Sequence, residues 1–271
     1  MYIYKGFFRV LMLVVALLGV DLCYGSDHTG EAENEWQRGL DAYSAKEYQV
    51  ACDALEHVAQ LGYANAELYY NLANAYFKLG EQQEIPFSNG ELGRAILNYR
   101  RALRLDPTME DARYNLDIAI DYTNDAESLP EGVLSSMWST ISGIMSSNGW
   151  ATLSVILFVT TLCLMLLYLL SQHIILRKIS FFVAIASLFL FVFSTIFSLS
   201  QRSLLEDSKT SVVISSDVVS VHASPDYSSK VIRQPSQGVT VEILREHGDW
   251  SEICFADGEK GWIATKSIER L

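Results

Sequence analysis

Apolar side chains follow three different periods along this chain. Over residues 32–122 they recur every three to four positions, the spacing of helices that bury one face. Residues 150–170 and 179–199 are two runs of twenty-one residues, almost wholly apolar. From residue 211 onward, short β-branched or aromatic runs alternate with turn residues, the signature of short strands. The pattern predicts an all-α unit, a pair of long apolar helices and a small all-β unit, in that order.

In the helical unit, Leu72, Ala73, Ala75 and Tyr76 form one apolar face, and Gly80 is placed to end that helix. Ala95, Tyr99 and Ala102 form a second face, which Asp106-Pro107 stops. Small residues let two backbones approach, and aromatics fill the wider parts of the seam. Residues 32–65 make a unit of thirty-four; residues 66–109 make a second of forty-four, ten too long. The surplus lies in residues 81–90, a polar run with Pro86 and Asn89-Gly90 that reads as a longer turn. Asn115-Leu116 and Ala119 then repeat the spacing of Asn71-Leu72 and Ala75, so residues 111–122 read as a capping helix.

This segment resembles tetratricopeptide (TPR) repeats. The resemblance implies an all-α TPR solenoid over residues 32–122, whose first helices line a concave groove that holds a protein partner. Carried onto this chain, the groove positions are Glu67, Tyr70, Asn71, Asn74, Phe77 and Lys78, with Asp111, Tyr114, Asn115 and Ile118 from the cap. Asn71 and Asn115 are equivalent positions, and an amide there can both donate to and accept from an extended peptide. The plain alternative is an unliganded helix surface.

The apolar runs are long enough to cross a bilayer as helices. No Asp or Glu occurs from Gly132 to Ser200, and Arg177 and Lys178 are the only Lys or Arg there. They fall between the two runs, and positive residues stay cytoplasmic, so both flanking units are expected outside. Lys5 and Arg9 precede the apolar stretch 10–20, and Cys23-Tyr24-Gly25 offers a cleavage site, which makes residues 1–25 a signal peptide. Acylation at Cys23 and an uncleaved anchor are the alternatives, and all three export the helical unit. Residues 123–149 read as a linker and an amphipathic helix bearing Leu134, Met137, Trp138, Ile141, Ile144 and Met145. That helix lies in the membrane interface or packs against the repeats.

Residues 211–271 resemble a bacterial SH3-like (SH3b) domain, a small barrel of five expected strands. The resemblance rests on Val221-His222-Ala223-Ser224-Pro225, Gly238 before a Val-rich strand, Gly248-Asp249-Trp250, and Gly258 through Gly261-Trp262. It implies peptide or peptidoglycan binding through aromatic side chains, with Tyr227 and Trp262 as ligand candidates and Trp250 weighted towards packing. The family pattern has Arg where His222 stands here.

Charge and motif content narrow the function. Residues 26–130 hold nineteen acids against eight bases, and residues 201–271 eleven against eight, so the surfaces outside the membrane repel nucleic acid. The five His are scattered, the four Cys form no metal or disulfide pattern, and no phosphate-binding Gly motif or His-Glu-x-x-His occurs. No catalytic residue, cofactor or metal is expected. Taken whole, the order resembles the BatE-type proteins of Bacteroides aerotolerance operons. That resemblance implies a periplasmic scaffold on the bacterial inner membrane, accompanied by a MoxR-type ATPase, with partners among the von Willebrand factor A membrane proteins of the same operon. The alternative is a peptidoglycan-binding or sensory envelope protein in which the repeats are a spacer.

Overall fold

The computed structural model describes residues 29–123, 138, 140–206, 209–215 and 218–271. The signal segment 1–25, the linker 124–131 and the interfacial-helix positions Leu134 and Met137 lie outside the described residues. Five helices come first: α1 (Thr29–Ser44), α2 (Tyr48–Gln60), α3 (Ala66–Glu81), α4 (Glu91–Leu105) and α5 (Glu110–Asp121). Each packs on the next, so the unit is a stack of helices folded back on one another. Ala51, Ala73, Ala75, Ala95 and Ala102 are fully buried where backbones meet, while Leu55, Leu68, Ile96 and Tyr99 fill the space between. Burying a side chain such as Leu55 contributes about 1.5–3 kcal/mol. Asn65 starts α3 as a side-chain cap, its Oδ1 accepting from the Leu68 N–H at 2.7 Å. Cys52 is interior, and burial pushes its thiol pKa well above the ordinary value, so it packs as a small apolar group.

The connection between α3 and α4 is itself packed against the stack. Phe87 folds back onto α3, its N–H donating to the Gly80 carbonyl at 3.1 Å. Its ring is 6% exposed and sits 5.3 Å from Phe77 and 5.2 Å from Tyr122. A Cβ on Gly80 would lie 2.2 Å from that ring, which is why the helix carries Gly at this point. Gln83 holds the turn by accepting from the Ser88 N–H and hydroxyl. The Glu91 carboxylate accepts from Asn89 N–H at the start of α4 and also bonds Gln83.

Two long helices come next, α6 (Ser147–Leu170) and α7 (Ile174–Glu206). Both are long and apolar enough to cross a membrane. At about 1.5 Å per residue, the twenty-four residues of α6 match a hydrocarbon core of about 30 Å. α7 has thirty-three residues and outruns it. α6 buries none of its side chains, and Phe182 and Phe189 on α7 are 68% and 64% exposed. Between the helices, the aromatic pairs Trp150–Phe197, Phe158–Phe191 and Tyr168–Phe181 flank a seam of small polar residues. Ser180, Ser187, Ser194 and Gln201 recur every seven residues on the buried side of α7. The Ser187 hydroxyl pairs with Thr161 at 3.0 Å and donates to the Leu157 carbonyl, and Ser194 donates to the Trp150 carbonyl at 2.8 Å. Arg177 and Lys178 belong to the first turns of α7 rather than to the connecting turn, and the Arg177 guanidinium sits over the Tyr168 ring.

The C-terminal unit is an antiparallel sheet of seven strands: β1 (Thr210–Val213), β2 (Val221–His222), β3 (Val231–Arg233), β4 (Thr240–His247), β5 (Trp250–Cys254), β6 (Lys260–Ala264) and β7 (Ile268–Arg270). Their order is β3-β2-β6-β5-β4-β1-β7. Strands β3 and β7 are additional to the five expected; both are three residues long, and β3 is largely exposed, so neither gives a clear alternation. Val213, Val221, Val241, Ile253 and Ile263 form the interior.

The helical stack and the sheet share a core boundary at β1. Alternation along the strand sends Val212 into the helical core and Val213 into the sheet's own core. Gln237 clasps the junction with both ends of its amide: Nε2 donates to the Phe87 carbonyl at 2.6 Å and Oε1 accepts from the Gly93 N–H at 3.2 Å. Gly93 is where α4 meets β1, and a Cβ there would stand 2.5 Å from the Val213 carbonyl oxygen. Arg101 adds an ion pair to Glu269 at 2.9 Å. α4 also touches α7, so the stack, the sheet and the projecting helix meet at one helix.

Candidate functional site

On the sheet, three aromatic rings gather on one surface. His222 ends β2, Trp250 starts β5, and Tyr227 stands on the turn between β2 and β3. The Tyr227 and Trp250 ring centroids are 4.6 Å apart, and the His222 ring meets them edge-on at 6.1 and 5.4 Å. His222 and Trp250 are buried, whereas Tyr227 is 69% exposed. The turn that presents Tyr227 is held by its own polar side chains. The Asp226 carboxylate accepts from the Ser228 N–H and hydroxyl, which depresses its pKa, and the Ser229 hydroxyl bonds the Ser224 and Asp226 carbonyls. The Ser229 carbonyl lies 3.1 Å from His222 Nδ1. A carbonyl only accepts, so Nδ1 is the donor in this contact. A cavity of about 250 Å³ opens beside these rings, lined also by Ser220, Val218 and Lys266. It offers an aromatic platform, hydroxyl groups and one cation, a set suited to a peptide or an amide-bearing sugar.

Trp262 lies elsewhere on this surface. It pairs with His222 across the strands, but its ring is covered by the Arg245 guanidinium at 5.1 Å, itself bonded to Glu252. Trp250, weighted towards packing from sequence, does pack, and it also forms the floor beneath Tyr227. The departure of His222 from the family's Arg puts a ring in that floor.

A second surface lies on the helical stack. Tyr70, Asn74 and Lys78 of α3 and Asn115 of α5 line a groove of about 320 Å³ with Tyr43 and Tyr99. Asn74 Oδ1 accepts from the Tyr99 hydroxyl at 2.6 Å and from Asn115 Nδ2 at 3.0 Å. Burial pushes the Tyr99 phenol pKa well up, so it stays a donor. The Lys78 ammonium bonds Glu81 at 2.6 Å, which raises its pKa. Tyr114 is 68% exposed and, like Asn71, is outside this lining, whereas Phe77 and Ile118 belong to it, the Phe77 ring also stacking on Phe87. Tyr43 and Tyr99 come from α1 and α4, and repeat position alone pointed only to α3 and the cap. Among the described residues, no three His, Cys, Asp or Glu side chains converge as metal ligands.

Residues 217–269 match the family described as the bacterial SH3 domain. The C-terminal unit is therefore a bacterial SH3 domain. The chain is also similar to YrvJ of Bacillus subtilis (strain 168), a protein that carries the name N-acetylmuramoyl-L-alanine amidase. Identity is 36% over 58 residues, which is 21% of this chain and 11% of that protein. The match thus spans about a tenth of that relative.

Proposed function

We propose that this chain is a membrane-anchored envelope protein that binds cell-wall peptide through its SH3 domain and carries out no reaction of its own. The observation that carries this reading is the Tyr227–Trp250–His222 platform, with an exposed ring held out over a buried floor. Support for a wall ligand comes from the amidase name of the YrvJ protein, which specifies a muramoyl–alanine bond. In this reading α6 and α7 cross the bacterial inner membrane with Arg177 and Lys178 inside, and the other two units face the periplasm. The helical stack is read as two TPR units and a cap standing beside the SH3 domain. Reporter fusions check the topology: one at Leu271 should behave as exported and one at Gln172 as cytoplasmic. A cytoplasmic result at Leu271 would remove the two-span arrangement.

The ligand reading is tested with the full chain in detergent and isolated peptidoglycan sacculi. Tyr227→Ala should lower sacculus binding at least about tenfold, or ~1.4 kcal/mol. Because the ring is mostly exposed, stability should change by less than about 0.5 kcal/mol. Undiminished capture by the folded variant would overturn the site. The groove bonds among Asn74, Tyr99 and Asn115 favour a second reading, a protein adaptor of the BatE type whose partners are operon membrane proteins. That reading expects a protein partner to be retained by the Tyr227→Ala chain, with no dependence on sacculi.

A further inference from the structure

Positive charge is concentrated on one helix. Arg94, Arg100, Arg101 and Arg104 of α4 are half of the eight Lys and Arg residues in 26–130, a stretch holding nineteen acids. Arg94, Arg101 and Arg104 line one cleft of about 490 Å³, walled by α2, α3 and α4 and closed on one side by Glu269 of β7. It lies apart from the aromatic platform and from the Asn74–Asn115 groove, and it needs the stack and the SH3 domain together. Arg101 is engaged by Glu269 at 2.9 Å and lies over the Tyr69 ring. Among the described residues, Arg94 has no carboxylate within ion-pairing range, and it rests 5.6 Å from the centre of the Tyr76 ring. The Glu56 carboxylate on the same wall is occupied by the Tyr76 hydroxyl. Asn98, one turn beyond Arg94, is 3% exposed; its Nδ2 donates to the Arg94 carbonyl at 2.9 Å, while Oδ1 is enclosed without a donor among the described residues.

We propose that this junction cleft binds a short peptide bearing a carboxylate. The Arg94 guanidinium takes the carboxylate, in the planar fork geometry that arginine offers. The Tyr69 and Tyr76 rings with Leu72 and Leu97 take the apolar part. A peptide N–H is the donor that Asn98 lacks, reached when its amide turns towards the cleft. An acidic protein that gathers guanidinium groups in one partly enclosed cleft raises the local concentration of anions there.

The test uses the full chain in lipid nanodiscs and the probe acetyl-Ala-Glu-Ala-amide, with acetyl-Ala-Gln-Ala-amide and sodium acetate as the other arms. The Glu peptide should bind at least about tenfold tighter than the Gln peptide. Arg94→Gln should erase that difference, and Tyr227→Ala should preserve it, which separates this site from the SH3 platform. On the unaltered chain, the Glu peptide should shift the side-chain amide resonances of Asn98, a readout that needs no folded variant. Equal binding of the Glu and Gln peptides, no saturation below about 1 mM, or acetate as tight as the peptide would each overturn the proposal.

Discussion

Gly93→Leu is expected to part the SH3 domain from the helical stack while each keeps its own fold. The added side chain meets the Val213 carbonyl oxygen at 2.5 Å and the Ile214 Cα at 3.0 Å, both backbone atoms that cannot rotate away. Overpacking of this kind costs about 3 kcal/mol at its upper range, which multiplies the undocked population roughly a hundredfold. Undocking also breaks the Gly93–Gln237 bond and frees Val212 from the helical core. Within α4 itself Leu is a better helix former than Gly, so the helix should not melt. The measurement is limited proteolysis of residues 207–217 together with thermal unfolding. The wild type should unfold with the two units coupled, and Gly93→Leu should give two separate transitions and faster cleavage. A single unchanged transition would mean that the interface accommodates the side chain.

That interface was the least legible part of the sequence. Hydrophobic period marked the helical region and both apolar helices, because each buries or exposes a continuous stripe. Strand assignments held where alternation is strong, as at Val239–Val241–Ile243, and missed β3, whose first two residues are exposed. Nothing in a one-dimensional pattern says that Val212 and Val213 serve different cores, since both are simply apolar. Gln237 looks like any turn residue until its amide is seen between Phe87 and Gly93. The aromatic platform was half visible. Tyr227 and Trp250 stood out as aromatics next to turn signals, but the partner of Tyr227 is set by which strands neighbour each other. The sequence weighted Trp250 towards packing and left Trp262 a ligand candidate, and nothing in it shows that Arg245 covers the Trp262 ring.

The long turn between α3 and α4 leads to a sharper expectation. Phe87→Ala should destabilise the helical stack by about 3–5 kcal/mol, the range for emptying a buried aromatic site, because its ring fills the space between Phe77, Tyr122 and Gly80. It should also loosen the SH3 domain, since Gln237 donates to the Phe87 carbonyl. Gly80→Ala alone should destabilise as well, as its new methyl stands 2.2 Å from the Phe87 ring. Combined with Phe87→Ala, the same change should cost much less, the Glu91 Cβ at 3.1 Å being the close contact that remains. The methyl then enters the vacated space, and Ala in a helix interior is favoured over Gly by about 1 kcal/mol. Residues in direct contact are where additivity fails, so the cycle of two single variants and the double variant isolates this contact. Chemical denaturation of the full chain, read by helical circular dichroism, gives the four stabilities. If Gly80→Ala costs the same with and without Phe87, the long turn does not pack against α3, and its hold on the SH3 domain through Gln237 falls with it.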